Sequence, residues 1–401
     1  MEKLKILKRN KPQLTNEKGV KSSYIFQNLK FYDIITGQPP DIMHDMLEGT
    51  IPLNFYYMMV RFKSDKILTV TALNQALKNF NYGKVEVKDG KIPHNLFTLF
   101  SLRNTNGFKM SATHTWTLSR IFPLIFGSKL QNNRHYIHYL NGIKIFGLLM
   151  ANSFTETSIC EIEEKIKIYL SDFIRLYHKL TPKLHFLAHY GRMIRMFGPP
   201  KNCWVMRFEA KHKYFKKVQH SINNTINTSK SLAKRHQYMQ VLKLRSTGYL
   251  TSKNIESGPI NKSSINSVNL AEQFDIFRNT LSLSVKWVIL NNIKYHPGNI
   301  VLTPDYHFKM IEKILIKEEV VYFILSALEN ISYVSHMNCF SVTESTTGTY
   351  TLLKCSELTY CWPMDLNRFN RNLYILMKYP LRHLMITSFN PQTTNIFNIF
   401  N

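Results

Sequence analysis

Acidic residues are scarce in this chain: 26 Asp and Glu stand against 52 Lys and Arg in 401 residues, a formal net charge of +26. Long apolar runs are absent too. No stretch reaches the ~18–20 residues of a membrane span, and the start, MEKLKILKRNK, holds no apolar block that could serve as a signal peptide. The five cysteines, Cys160, Cys203, Cys339, Cys355 and Cys361, are odd in number, scattered and without a C-x-x-C pair, which argues against a disulfide framework or a cysteine zinc site. Neither G-x-S-x-G nor G-x-x-x-x-G-K occurs, so nucleophile-elbow hydrolases and P-loop phosphate sites are set aside. The expectation from these absences is an intracellular protein with no membrane partner.

What is present is ample material for packed cores, 44% hydrophobic and 13% aromatic. It comes with a charge excess that only costs stability by self-repulsion unless a polyanion answers it. Lysines interleaved with aromatic and β-branched residues suit nucleic acid better than a lipid surface.

The pattern along the chain predicts an α+β protein, mainly helical, with a small β-rich C-terminal part. After Gly37-Gln38-Pro39-Pro40, Asp41 can cap a helix whose Ile42, Met43, Met46, Leu47, Ile51 and Leu53 form a buried face, with Pro52 a kink or break. Further helical periodicity falls at about 71–81, 114–125, 133–152 and 156–180. In the last of these Ile162, Ile166, Leu170, Phe173 and Ile174 form the expected buried face. A helical block from 181 to about 244 is interrupted at Gly198-Pro199-Pro200. The stretch 246–270 reads as a linker, dividing 1–245 from 271–401. Beyond it, Ser284–Leu290, Asn299–Leu302, Val320–Ile324, Tyr333–Val342 and Thr349–Lys354 read as strands.

Two places carry chemistry. Between Thr181 and Leu250 lie 14 cationic residues, among them Arg207, Lys211, Lys213, Lys216, Lys217, Lys234 and Arg235, and one carboxylate, Glu209. Half the net charge of the chain is concentrated there, a surface made for phosphate. A lone Glu beside a polyanion asks for a cation, which a divalent metal or, more simply, Lys213 four residues on would supply. The second place is Asp41, His44, Asp45 and Glu48, spaced to share one side of a helix. The helix dipole alone accounts for carboxylates at an N-terminus. His185 and His189 have the i, i+4 spacing of zinc proteases, but Phe186 stands where H-E-x-x-H needs its Glu. Packing, or protonation against phosphate, is the favoured reading of that pair, with metal ligation the lesser one.

Five ordered blocks, PPDIMHDMLEG (Pro39–Gly49), FPLIFG (Phe122–Gly127), TPKLHFLAHY (Thr181–Tyr190), FGPPKNCWVMRFEAKHKYFKK (Phe197–Lys217) and LAKRHQ (Leu232–Gln237), resemble successive blocks of CACTA (En/Spm)-type transposases and their host-resident animal relatives. The resemblance covers about residues 24–245. It implies a partial RNase H-like core with a large helical insertion, holding Mg²⁺ or Mn²⁺ on a D-D-E set and cutting or joining DNA. It makes Asp41 the second Asp and metal ligand, His44 the His of the D-x-x-His block, and Glu209 the final Glu and metal ligand, 168 positions after Asp41. The family's first Asp lies well upstream of that block. Here 40 residues precede Asp41 and their sole Asp is Asp33, so the site is expected to be incomplete and the chain a truncated, relic or host-adopted derivative, or an incomplete gene model. The expected partner is DNA, the expected compartment the nucleus, and a homo-oligomer is compatible. The expected function is DNA binding without strand transfer. Its alternatives are an active Mg-dependent transposase or nuclease, and a basic RNA- or protein-binding scaffold without metal.

Overall fold

The computed structural model describes residues 29–31, 37–93, 95–103, 108–222, 226–245, 255–260, 274, 283–345 and 348–379. Two units are distinguished, Met1–Pro40 and Asp41–Asn401. Of the first, the described part includes a turn at Lys30 and Phe31, with the Lys30 ammonium 5.3 Å from the Phe31 ring centre. Asp33 lies outside the described residues.

The second unit begins as a run of helices: α1 (Met43–Thr50), α2 (Ile51–Ser64), α3 (Val70–Asn79), α4 (Lys84–Gly90), α5 (Ala112–Leu130), α6 (Arg134–Leu149), α7 (Glu156–Tyr177), α8 (Pro182–Leu187), α9 (Tyr190–Phe197), α10 (Pro200–Cys203), α11 (Met206–Ile222) and α12 (Thr228–Arg245). Side-chain caps set several of the starts, because an oxygen at the cap satisfies amide protons the first turn leaves free. Thr69 accepts from Ala72, Ser111 from His114, Asn133 from His135 and Tyr136, and Thr181 from Leu184. Thr155 and Ser158 close a reciprocal capping box on α7. Its buried face is Ile162, Ile166, Tyr169, Phe173 and Tyr177, whereas Ile174, expected inside, is exposed. Around Phe55 gather the rings of Phe97, Phe108, Phe122 and Tyr139, with centroids 5.1–5.8 Å away. Each such buried ring is worth about 2–3 kcal/mol of transfer free energy.

Pro52 does not break its helix. α1 is wound as a π-helix that runs directly into α2. Pro52 falls in the first turn of α2, where its missing N–H costs little, and the Lys183 ammonium of α8 donates to the Glu48 carbonyl of α1 at 3.0 Å.

Eleven strands follow among the described residues: β1 (Ile255–Ser257), β2 (Leu283–Val285), β3 (Val288–Leu290), β4 (Ile293–Tyr295), β5 (Asn299–Leu302), β6 (Phe308–Lys317), β7 (Val320–Val334), β8 (Cys339–Glu344), β9 (Tyr350–Lys354), β10 (Tyr360–Phe369) and β11 (Asn372–Ile375). All pairings are antiparallel. β1, β3 and β4 form a small sheet; β6, β5, β10, β11, β8 and β7 pair in that order, and β6 also pairs with β7, so these six return on themselves. Closure hides their edges. Ile300, Leu302, Phe308, Leu328, Phe340, Val342, Met364 and Ile375 form one core cluster of this barrel. Where 246–270 was expected to be a linker, Ile255–Ser257 pairs with Val288–Leu290; 246–254 and 261–270 lie outside the described residues. Tyr333–Val342, expected as one strand, turns at residues 335–338 and is the end of β7 and the start of β8.

The helical and β-rich parts share a core. Met337, Cys339, Tyr374 and Leu376 join the helical cluster, the Tyr136 hydroxyl donates to the His336 carbonyl, and the Val85 N–H donates to Asp365 Oδ2 at 2.7 Å. The α+β class with a β-rich C-terminal part is therefore what the sequence led one to expect. Among the described residues no strand precedes Ile255, so no sheet of an RNase H-like kind is seen in the helical part.

Candidate carboxylate–histidine site

The short segment between α10 and α11 positions the site. Trp204 is extended and its ring meets Trp116 edge-on, 5.9 Å between centroids. The next residue, Val205, donates its N–H to Asp41 Oδ1 at 3.1 Å, and its carbonyl accepts from the Glu209 N–H at 2.8 Å, opening α11. Asp41 thus ties the approach to α1 to the start of α11. It also caps α1, accepting from the Met43 N–H at 3.2 Å and the His44 N–H at 3.4 Å.

His44 is the centre of the cluster. Its Nδ1 meets Asp41 Oδ2, and its Nε2 lies 3.3 Å from Glu209 Oε1 and 3.8 Å from Glu48 Oε2. Glu48 Oε1 takes the Ala112 N–H, 3.3 Å, at the start of α5, where a carboxylate also suits the helix dipole. Asp41, His44 and Glu209, singled out from sequence, are accordingly brought to one place across 168 positions.

Asp45 is separated from them. Although its spacing put it on the same side, it is buried, and the Tyr190 hydroxyl donates to its Oδ2 at 3.1 Å. Burial is the largest influence on its carboxyl and pushes it up to about 6, the Tyr190 hydrogen bond opposing. Tyr190 and Lys183 went unrecognised in the sequence as neighbours of this acidic helix. Their signal was positional: both lie in the TPKLHFLAHY block.

The donor set does not fit a hard cation in this arrangement. Both Asp41 oxygens are engaged by N–H donors and one Glu48 oxygen by a helix terminus, while the imidazole fills the space between Asp41 and Glu209. Among the described residues no group of three or more His, Cys, Asp or Glu side chains is placed to hold a metal ion.

Beyond the site, α11 and α12 carry ten cationic residues against Glu209 alone. Lys213, Lys216, Lys217, Lys230, Lys234, Arg235, Lys243 and Arg245 are exposed, and α12 has no buried residue. The side chain of Arg207 lies outside the described residues. Lys211 is half-buried, its ammonium 5.9 Å from the Tyr214 ring centre. The two helices meet where Tyr214 and Phe215 approach the His236 ring, at 6.2 and 5.6 Å. No helix among the described residues is long and apolar enough to cross a membrane.

Comparison of the chain with family models, with curated proteins and with solved structures finds no match.

Proposed function

We propose that this chain is a transposase-derived, nuclear DNA-binding protein in which Asp41, His44 and Glu209 are the remnant of a D-D-E site that does not carry out strand transfer. The observation that supports it is the meeting of Asp41 and Glu209 on opposite nitrogens of the His44 ring, beside two helices whose exposed charge is almost wholly positive. An imidazole set between two carboxylates cannot clamp both oxygens of an in-line displacement as the ions of two-metal phosphoryl transfer do. Phosphate then falls to Lys211, Lys213, Lys216, Lys217, Lys234 and Arg235 on α11 and α12.

Duplex DNA titrated into the full chain at several salt concentrations tests this. Affinity is expected to fall steeply with salt, with a log–log slope of about −0.9 per phosphate neutralised. Replacing Lys211, Lys213, Lys216 and Lys217 together by Gln is expected to flatten that slope by roughly three to four. Salt-independent binding overturns the DNA reading. Nicking of DNA in Mg²⁺ or Mn²⁺ that is abolished by Glu209→Gln overturns the inactive one and makes the chain an enzyme.

A further inference from the structure

His185 and His189 lie outside the carboxylate–histidine site and are not needed for it. His185 is in the last turn of α8 and His189 precedes α9. Between them the chain tightens, the Ala188 N–H reaching the His185 carbonyl at 3.1 Å and the His189 N–H the Phe186 carbonyl at 3.0 Å. Leu184, Leu187 and Tyr190 are buried, which leaves both imidazoles exposed on the outer side. Their rings are nearly perpendicular, 79°, and the two Nε2 atoms stand 3.0 Å apart.

We propose that this pair is a bidentate site for a borderline divalent transition metal, Cu²⁺ foremost. Two facing Nε2 atoms at 3.0 Å make one N–H···N hydrogen bond; when the donor ring takes the tautomer with its proton on Nδ1, both Nε2 lone pairs are open to a metal. With metal–nitrogen bonds of about 2.0–2.1 Å, that separation corresponds to a nitrogen–metal–nitrogen angle of about 90–97°. Such an angle is the cis angle of tetragonal Cu²⁺ or octahedral Ni²⁺, and is tighter than tetrahedral Zn²⁺ prefers. Geometry and the general affinity order therefore agree in putting Cu²⁺ above Ni²⁺ and Zn²⁺. Water completes the shell on this exposed face. The absence of a Glu at Phe186 removes the general base a zinc protease needs, so the site binds without hydrolysing peptides.

The test is titration of the metal-free full chain with Cu²⁺, Ni²⁺ and Zn²⁺ by competition against a chromophoric chelator, with paramagnetic resonance on the Cu²⁺ form. One tight Cu²⁺ equivalent with two coordinated imidazole nitrogens is expected. His185→Gln and His189→Gln should each weaken it at least tenfold, with the double variant little worse than either single one, because losing one ligand already removes the chelate. His44→Gln should leave it unchanged. Affinity should fall on acidification, as protons compete for the same lone pairs. Binding that survives both single substitutions, or a spectrum showing one nitrogen, overturns the proposal. The DNA salt slope of the His185 and His189 variants is expected to equal that of the parent, so the two proposals fail separately.

Discussion

At the scale of residues, two buried titratable groups pull stability in opposite directions with pH. Asp45 holds its proton up to about 6 in the folded chain, against an ordinary 3.8, so the folded state binds more protons through that window and stability falls as pH rises across it. Asp45→Asn keeps an acceptor for the Tyr190 hydroxyl and removes the penalty. It is expected to stabilise the protein by about 2 kcal/mol at pH 7 and to leave it unchanged near pH 3.5, measured by urea unfolding at both. His138 is the reverse. Buried against Tyr169, 4.3 Å between stacked rings, its imidazole is pushed down to about 3 by burial first and nearby positive charge second. The unfolded chain binds that proton from about 6.5 downward while the folded chain does not, so stability is lost as pH falls below 6.5. His138→Phe should therefore gain about 2 kcal/mol on the parent when pH goes from 7.5 to 5. Taking the difference between the two pH values cancels the packing change, and a pH-independent difference would contradict the assignment.

At the scale of elements, the π-wound α1 depends on a partner from outside its own sequence. Lys183 on α8 donates to the Glu48 carbonyl, and its stem lies over Gly49, where a methyl group would stand 2.5 Å from Lys183 Cδ and 2.9 Å from the His44 carbonyl. Lys183→Met keeps the stem and deletes that hydrogen bond. A loss of about 1–2 kcal/mol is expected by thermal or urea unfolding, together with a shift of the His44 ring resonances in NMR, since His44 is on the same turn. A loss of stability without that shift would show that α1 keeps its winding unaided.

At the scale of the whole molecule, the helical and β-rich parts unfold together if their shared core is what holds them. Gly127 on α5 is at that seam: a Cβ there would stand 2.5 Å from the His336 carbonyl and 2.9 Å from the Tyr136 hydroxyl. The carbonyl belongs to the backbone of the β7–β8 turn and cannot swing aside, so Gly127→Ala must part the two layers. A cost of about 2–4 kcal/mol is expected. Parent unfolding should give one transition by tryptophan fluorescence and by far-ultraviolet circular dichroism, and the variant two. A single unshifted transition in Gly127→Ala would mean that the seam adds nothing.

Much of this was readable in the chain itself. The helices near 71–81, 114–125, 133–152 and 156–180 follow from apolar spacing and from Thr, Ser and Asn caps, which are local interactions and leave local marks. β5 at Asn299–Leu302 was legible for the same reason. β6, β10 and β11 were not. Phe308–Lys317 alternates lysines and aliphatics at an interval that suits a helix as well as a strand, and β10 carries Pro363. Their turns, Glu318-Glu319 and Asn370-Arg371, adopt positive φ without glycine, hiding the usual hairpin signal. Sequence also determined which residue types stand at Asp41, His44 and Glu209 and how much charge surrounds the last. Only tertiary structure decided that they meet, that Asp45 turns inward to Tyr190, that Lys183 serves the Glu48 carbonyl, and that an imidazole lies between the two carboxylates. Such contacts bridge more than 100 positions, and the free energy that selects them comes from packing Trp204 on Trp116 and α8 on α1, which no local pattern records.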